Sequence, residues 1–131
     1  MKTKTILLTL TTLFAAAESG DAQTAPNDKK VLVAYFSHSG NTRAVAERIA
    51  AATGADLFEI VPQKPYPAEY RAVVDQARRE IAADYRPALK TDLPDAGRYD
   101  VIYIGSPCWW ATVAPPVATF LTSCDLAGKT V

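Results

Sequence analysis

The sequence is poor in the residues that most metal centres and hydrolytic sites use. It has one histidine, His38, and two cysteines, Cys108 and Cys124, in 131 residues. No metal-ligand set emerges from so few, and no carboxylate pair or nucleophile–base spacing stands out, so no residue takes a catalytic role. An excess of charge of one sign is also missing. Lys plus Arg and Asp plus Glu each number 14, for a formal net charge of zero. With no basic cluster anywhere, a nucleic-acid surface is not expected. No apolar run reaches the ~20 residues of a membrane-spanning helix. G-x-G-x-x-G and the Walker lysine are absent as well, which excludes two common phosphate loops. There is no internal repeat and no low-complexity tract.

What is present suits one soluble domain, 49% apolar and 21% charged. The first residues do not belong to it. Met1-Lys2-Thr3-Lys4 is a short basic start, residues 6–17 are apolar, and small residues follow. That pattern predicts a secretory signal over residues 1–22, with cleavage after Ala17 or Ala22. It carries neither a lipid-accepting cysteine nor twin arginines. Residues 23–30 read as a linker and residues 31–131 as the domain. The protein is therefore expected outside the cytoplasm, periplasmic or secreted, without a membrane span once the leader is removed. Cys108 falls in a loop and Cys124 at a helix end, and two free thiols are expected even there.

Along the domain, short apolar runs alternate with amphipathic stretches. Residues 31–36 form a β-branched and aromatic run too short for a helix, and so a buried strand. The helix after it starts near Thr42, is stopped at Gly54, and is expected to bury Val45, Ile49 and Ala52 beside Ala46 and Ala50. A second strand spans residues 56–61. After the proline-bound loop 63–67, Tyr70, Val73, Val74, Ala77, Ile81 and Tyr85 recur at helical spacing over residues 68–85. A surface segment covers 86–98, a third strand 99–105, and a third helix opens at Pro115-Pro116 with Val117, Phe120, Leu121 and Cys124 inward. Residues 128–131 read as the start of a fourth strand. Such alternation predicts an α/β fold, a doubly wound parallel sheet whose ligands bind beyond the carboxyl ends of the strands.

Two loops follow strands at that end. The first, Ser37-His38-Ser39-Gly40-Asn41-Thr42, leads into a helix start, whose free N–H groups and partial positive charge suit a phosphate. Ser37, Ser39 and Thr42 add hydroxyls, Gly40 allows close approach, and no Lys or Arg lies within the loop. A monophosphate ester fits that better than a magnesium triphosphate. His38 there is either a donor to the phosphate or a loop residue facing solvent. The second loop, Ser106-Pro107-Cys108-Trp109-Trp110, offers indoles to a flat aromatic ligand. Adjacent residues cannot point the same way, so one indole stacks and the other supports it.

Tyr35-Phe36-Ser37-His38-Ser39-Gly40-Asn41-Thr42 and Gly105-Ser106-Pro107-Cys108-Trp109-Trp110 resemble the phosphate loop and first flavin-ring loop of flavodoxin-like proteins. The resemblance runs over residues 31–131. It implies flavin mononucleotide (FMN), with the phosphate on residues 37–42 and the isoalloxazine against residues 107–110. It also implies strand order 2-1-3-4-5. In such proteins a completed fourth strand, another flavin loop, a fifth strand and a last helix follow, and these are missing here. A truncated form that by itself holds flavin weakly or not at all is therefore expected, the alternative being that a partner supplies the rest. The function implied is electron transfer, or flavin reduction linked to NAD(P)H or a quinone. The partners implied are a redox protein, NAD(P)H or a quinone, with a homodimer as an option. An exported flavin-binding module and an inactive fragment are the alternative readings.

Overall fold

Central to the fold is the strand β1 (Val31–Tyr35), apolar on both faces because parallel neighbours flank it and helices cover it above and below. A computed structural model of the chain describes residues 28–93 and 95–131, so the predicted leader and most of the linker lie outside the described residues. Strands β2 (Asp56–Glu59) and β3 (Val101–Gly105) pair with β1 in parallel, giving the order β2-β1-β3. Val33 sits opposite Leu57 on one side and Tyr103 on the other. This is the first part of the order the resemblance implies. Thr130 makes one parallel bridge to Val101, the only trace of the expected fourth strand among the described residues.

The period-two alternation of β1 divides the interior in two. Val33 and Tyr35 pack with Ala46, Ile49 and Ala50 of helix α1 (Asn41–Thr53) on one face. Leu32 and Ala34, with Ile102 of β3, pack with Val117 and Phe120 of helix α3 (Pro115–Ser123) on the other. Helix α2 (Tyr70–Ala82) buries Val73 and Ala77 and packs against α3 and the loop after β3. No helix among the described residues is long and apolar enough to cross a membrane.

The inward face of α1 differs from expectation. Val45 is 58% exposed and Ala52 is exposed. The helix turns the stripe through Ala46, Ile49 and Ala50 to the sheet, because alanine lets its backbone lie close over β1. Tyr70 and Tyr85 also depart from the predicted core, at 77% and 49% exposed. Helix α2 ends at Ala82, and Asp84 turns the chain in a left-handed conformation (φ 52°), which carries Tyr85 off the helix face. Among the described residues of 86–98, regular structure is limited to a single antiparallel bridge from Leu89 to Pro62 and a 3-10 turn at Ala96–Arg98, in keeping with the expected surface segment. Gly54 caps α1 in the left-handed conformation the sequence predicts (φ 70°).

Gly105 couples the sheet to the head of α1. A Cβ there would lie 2.9 Å from Tyr35 Cβ and 3.2 Å from Thr42 Cγ2. Gly105→Ala should therefore cost about 1–3 kcal/mol in urea unfolding. A variant as stable as the wild type would contradict this packing.

Candidate functional site

The first loop leaves the sheet where Phe36, still buried, donates its N–H to Gly105 O at 3.0 Å. The turn closes at Gly40, whose φ of 97° disfavours any side chain and whose N–H donates to Ser37 Oγ at 3.1 Å. The three α-helices among the described residues begin in three different ways. Glu69 caps α2, its carboxylate accepting from Arg71 N and Ala72 N. Helix α3 starts on Pro115 and Pro116, which have no N–H to satisfy. Helix α1 has no side-chain cap and no acidic residue in its first turn, and its first intrahelical bond is from Ala44 N to Gly40 O. The N–H groups of Asn41, Thr42 and Arg43 thus have no partner among the described residues. Arg43 donates to Glu59, a contact that raises the guanidinium pKa and engages its charge.

The second loop is a hairpin rather than the irregular loop the sequence suggests. Strand β4 (Cys108–Trp109) pairs antiparallel with β5 (Thr112–Val113) across a tip formed by Trp110 and Ala111. Ser106 Oγ donates to Pro107 O at 2.8 Å and accepts from Ala114 N at 2.9 Å, which closes the base of the hairpin. That hydroxyl is committed to the loop itself.

Trp109 joins the two loops. Its ring lies edge-on to Phe36 at 5.5 Å, Tyr66 at 5.1 Å and His38 at 5.9 Å between centroids. His38 Nε2 lies 2.8 Å from Pro67 O. A carbonyl only accepts, so Nε2 carries the hydrogen and His38 ties the first loop to the 63–67 loop. The second expectation for His38, a residue facing solvent, does not describe this partly buried tether. Tyr66 donates to Glu80 Oε2 at 2.5 Å, fastening the same loop to α2. Burial and then the Glu80 carboxylate push the Tyr66 pKa well above the usual range.

A cleft of about 490 Å³ opens between these parts. His38 and Ser39 form one wall, Pro107, Cys108, Trp109 and Trp110 a second, and Tyr70, Val73, Val74 and Ala77 of α2 a third. Its size and apolar lining are those of small-molecule sites. Of the residues singled out in the sequence, those six from the two loops meet here. Ser37, Gly40, Asn41 and Thr42 stand at the adjoining helix start, while Ser106 lies behind, holding the hairpin. The two indoles divide their roles: Trp109 is wedged in the aromatic cluster, and Trp110 stands half exposed at the cleft. Cys108 and Cys124 are both free. Burial raises the Cys124 thiol pKa.

The α2 wall and the Tyr66 and Pro67 contacts were not legible as site residues. Their stripe at 70, 73, 74 and 77 has the spacing of any core helix. Tyr70 belongs to that stripe and Tyr85 does not reach the cleft, so the sequence holds no signal that separates wall from core.

The flavodoxin family's sequence profile matches residues 30–131. Among solved structures, a protein of Bacteroides eggerthii DSM 20697 designated a flavoprotein is 37% identical, with a TM-score of 0.72 over 78% of this chain and 67% of its own. One from Bacteroides uniformis ATCC 8492 with the same designation is 38% identical, with a TM-score of 0.71 over 77% and 67%. A flavoprotein of Lactobacillus acidophilus NCFM in complex with FMN is 34% identical, with a TM-score of 0.66 over 72% and 66%. The chain thus spans about two thirds of the length of each. Among curated protein sequences none matches.

The raised Tyr66 pKa has a measurable consequence. The folded protein keeps this proton to higher pH than the unfolded chain. Its contribution is complete below about pH 10 and is lost as pH rises further. Tyr66→Phe should cost about 1–2 kcal/mol at neutral pH and flatten the alkaline decline. The Tyr99 hydroxyl, raised by burial and Asp56, and the Cys124 thiol, raised by burial, contribute to the slope that remains. Urea midpoints compared at about pH 8 and about pH 11 read both effects. An equal alkaline decline in variant and wild type would contradict the Tyr66 assignment.

Proposed function

The chain belongs to the flavodoxin family, and from that premise we propose that it holds FMN in the cleft and works as a redox protein. One observation carries the reading: an uncapped helix start adjoins a cleft walled by an indole. An anion suits the uncapped α1 N–H groups, and a flat apolar ring suits the half-exposed Trp110.

The residues present fit that cofactor. The N–H groups of Asn41, Thr42 and Arg43 would hold the phosphate, with hydroxyls from Ser39 and Thr42 and the O–H of Ser37, whose oxygen already accepts from Gly40. Arg43 stays with Glu59, so the charge on the phosphate is balanced by backbone dipoles rather than by a free cation. Pro107, Cys108, Trp109 and Trp110 would lie along the ring, with Ser106 bracing them from behind. When bound, FMN exchanges hydride or single electrons, and its surroundings set the potential. The half-open cleft leaves access for NAD(P)H, a quinone or a redox protein as the exchanging partner. The basic and apolar leader supports a site of action outside the cytoplasm.

Titration of the full chain should show FMN quenching tryptophan fluorescence in a saturable way. Riboflavin, which lacks the phosphate, should bind at least about tenfold more weakly, the equivalent of one charge-assisted hydrogen bond. Equal affinity for the two would remove the phosphate end of the site. With FMN loaded, stopped-flow mixing with NADPH separates the roles: rapid bleaching marks a reductase, and its absence a carrier.

A further inference from the structure

The half-exposed indole of Trp110 does not stand free. Its Nε1–H donates to Val74 O at 3.1 Å, and the Arg78 guanidinium carbon lies 5.3 Å from its ring centroid. Val74 and Arg78 are one turn apart on α2, so both contacts come from one patch of one helix. Trp110 lines the cleft, whereas Arg78 does not. The ion pairs among the described residues are Arg43–Glu59 and Arg86–Asp84, so no carboxylate holds the Arg78 guanidinium. Asp75, one turn before it, makes no pair with it.

The hairpin tip needs such support. Trp110 and Ala111 both lie in the left-handed region, at φ 51° and 62°. Two-residue hairpins favour that backbone but normally place Asn or Gly there, since other side chains resist it. The turn alone therefore favours relaxation of the tip, and the contacts to α2 oppose it.

We propose that Arg78 is a positioning residue, which acts through Trp110 to fix the indole as a preformed wall of the cleft. A flat ring then meets an ordered face and does not have to order it on binding, which is how rigid sites gain affinity. The planar guanidinium is suited to this because its charge lies over the indole face and its flat shape can follow that face, where lysine offers a compact charge without a plane. The proposal rests on the reading that the cleft takes FMN, but the state of Trp110 can be read without cofactor.

The test compares the wild type, Arg78→Met and Arg78→Lys as full-length chains. Arg78→Met keeps an apolar stem and removes the charge and the flat face. In a Trp109→Phe background Trp110 is the single indole, since the sequence holds two. If that background fails to fold, the wild type minus Trp110→Phe gives the same signal. Without FMN, acrylamide quenching of Trp110 should rise in Arg78→Met and fall between the two in Arg78→Lys. FMN affinity should drop about two- to fivefold in Arg78→Met, with partial recovery in Arg78→Lys. Unchanged quenching in Arg78→Met overturns the proposal, and so does raised quenching with FMN affinity intact. If the wild type takes up no FMN, the cofactor reading fails by itself, and the quenching series still decides whether Arg78 holds Trp110.

Discussion

Trp109, wedged edge-on among Phe36, His38 and Tyr66, is the contact on which the rest of the site depends. Its three partners come from the end of β1, the first loop and the 63–67 loop, while Trp109 itself belongs to the hairpin after β3. Each aromatic pair adds about 0.5–1.5 kcal/mol beyond simple burial, so no one contact dominates. Together they join segments far apart in sequence that the sheet alone would bring close but not lock together. The His38–Pro67 and Tyr66–Glu80 hydrogen bonds extend the connection to α2. The cleft is the space this cluster leaves in front of it.

The helix starts show the same division between structure and site. Where a helix end serves only the fold, the chain satisfies it, with a carboxylate at α2 and with prolines at α3. At α1 three N–H groups have no partner among the described residues, which costs stability unless water or a ligand meets them. Gly40 makes that opening possible, because its left-handed turn brings the chain into the helix without placing a capping side chain over the first turn. Family membership and an open helix start beside an indole-walled cleft therefore support the same ligand from independent directions.

Most of the architecture is legible in the sequence for a simple reason. β1 and β3 are short apolar runs, and α3 opens on two prolines, signals that depend on local chemistry alone. Which face of α1 turns inward is not local: Val45 and Ala46 are neighbours, and the preference for a small residue over β1 appears only when helix and sheet meet. The hairpin stays hidden because its tip, Trp110 and Ala111, lacks the Asn or Gly that usually marks such a turn. Grouping His38, Ser39, Pro107, Cys108, Trp109 and Trp110 at one rim follows from strand polarity, and the cleft contains all six. The α2 wall does not follow, because a buried helix stripe and a pocket wall have the same periodicity. The inward turn of the Ser106 hydroxyl, which closes the hairpin, is likewise not visible in the sequence of its loop.

The central claim is that two loops form one site for one ligand, and amide and indole NMR tests it most directly. The backbone signals of residues 40–43 and the indole Nε1–H signals of Trp109 and Trp110 are followed while FMN is added to the full chain. The account predicts that both sets shift along one binding curve, and that inorganic phosphate moves the first set alone. Shifts confined to one set, or two sets titrating with different affinities, would contradict it.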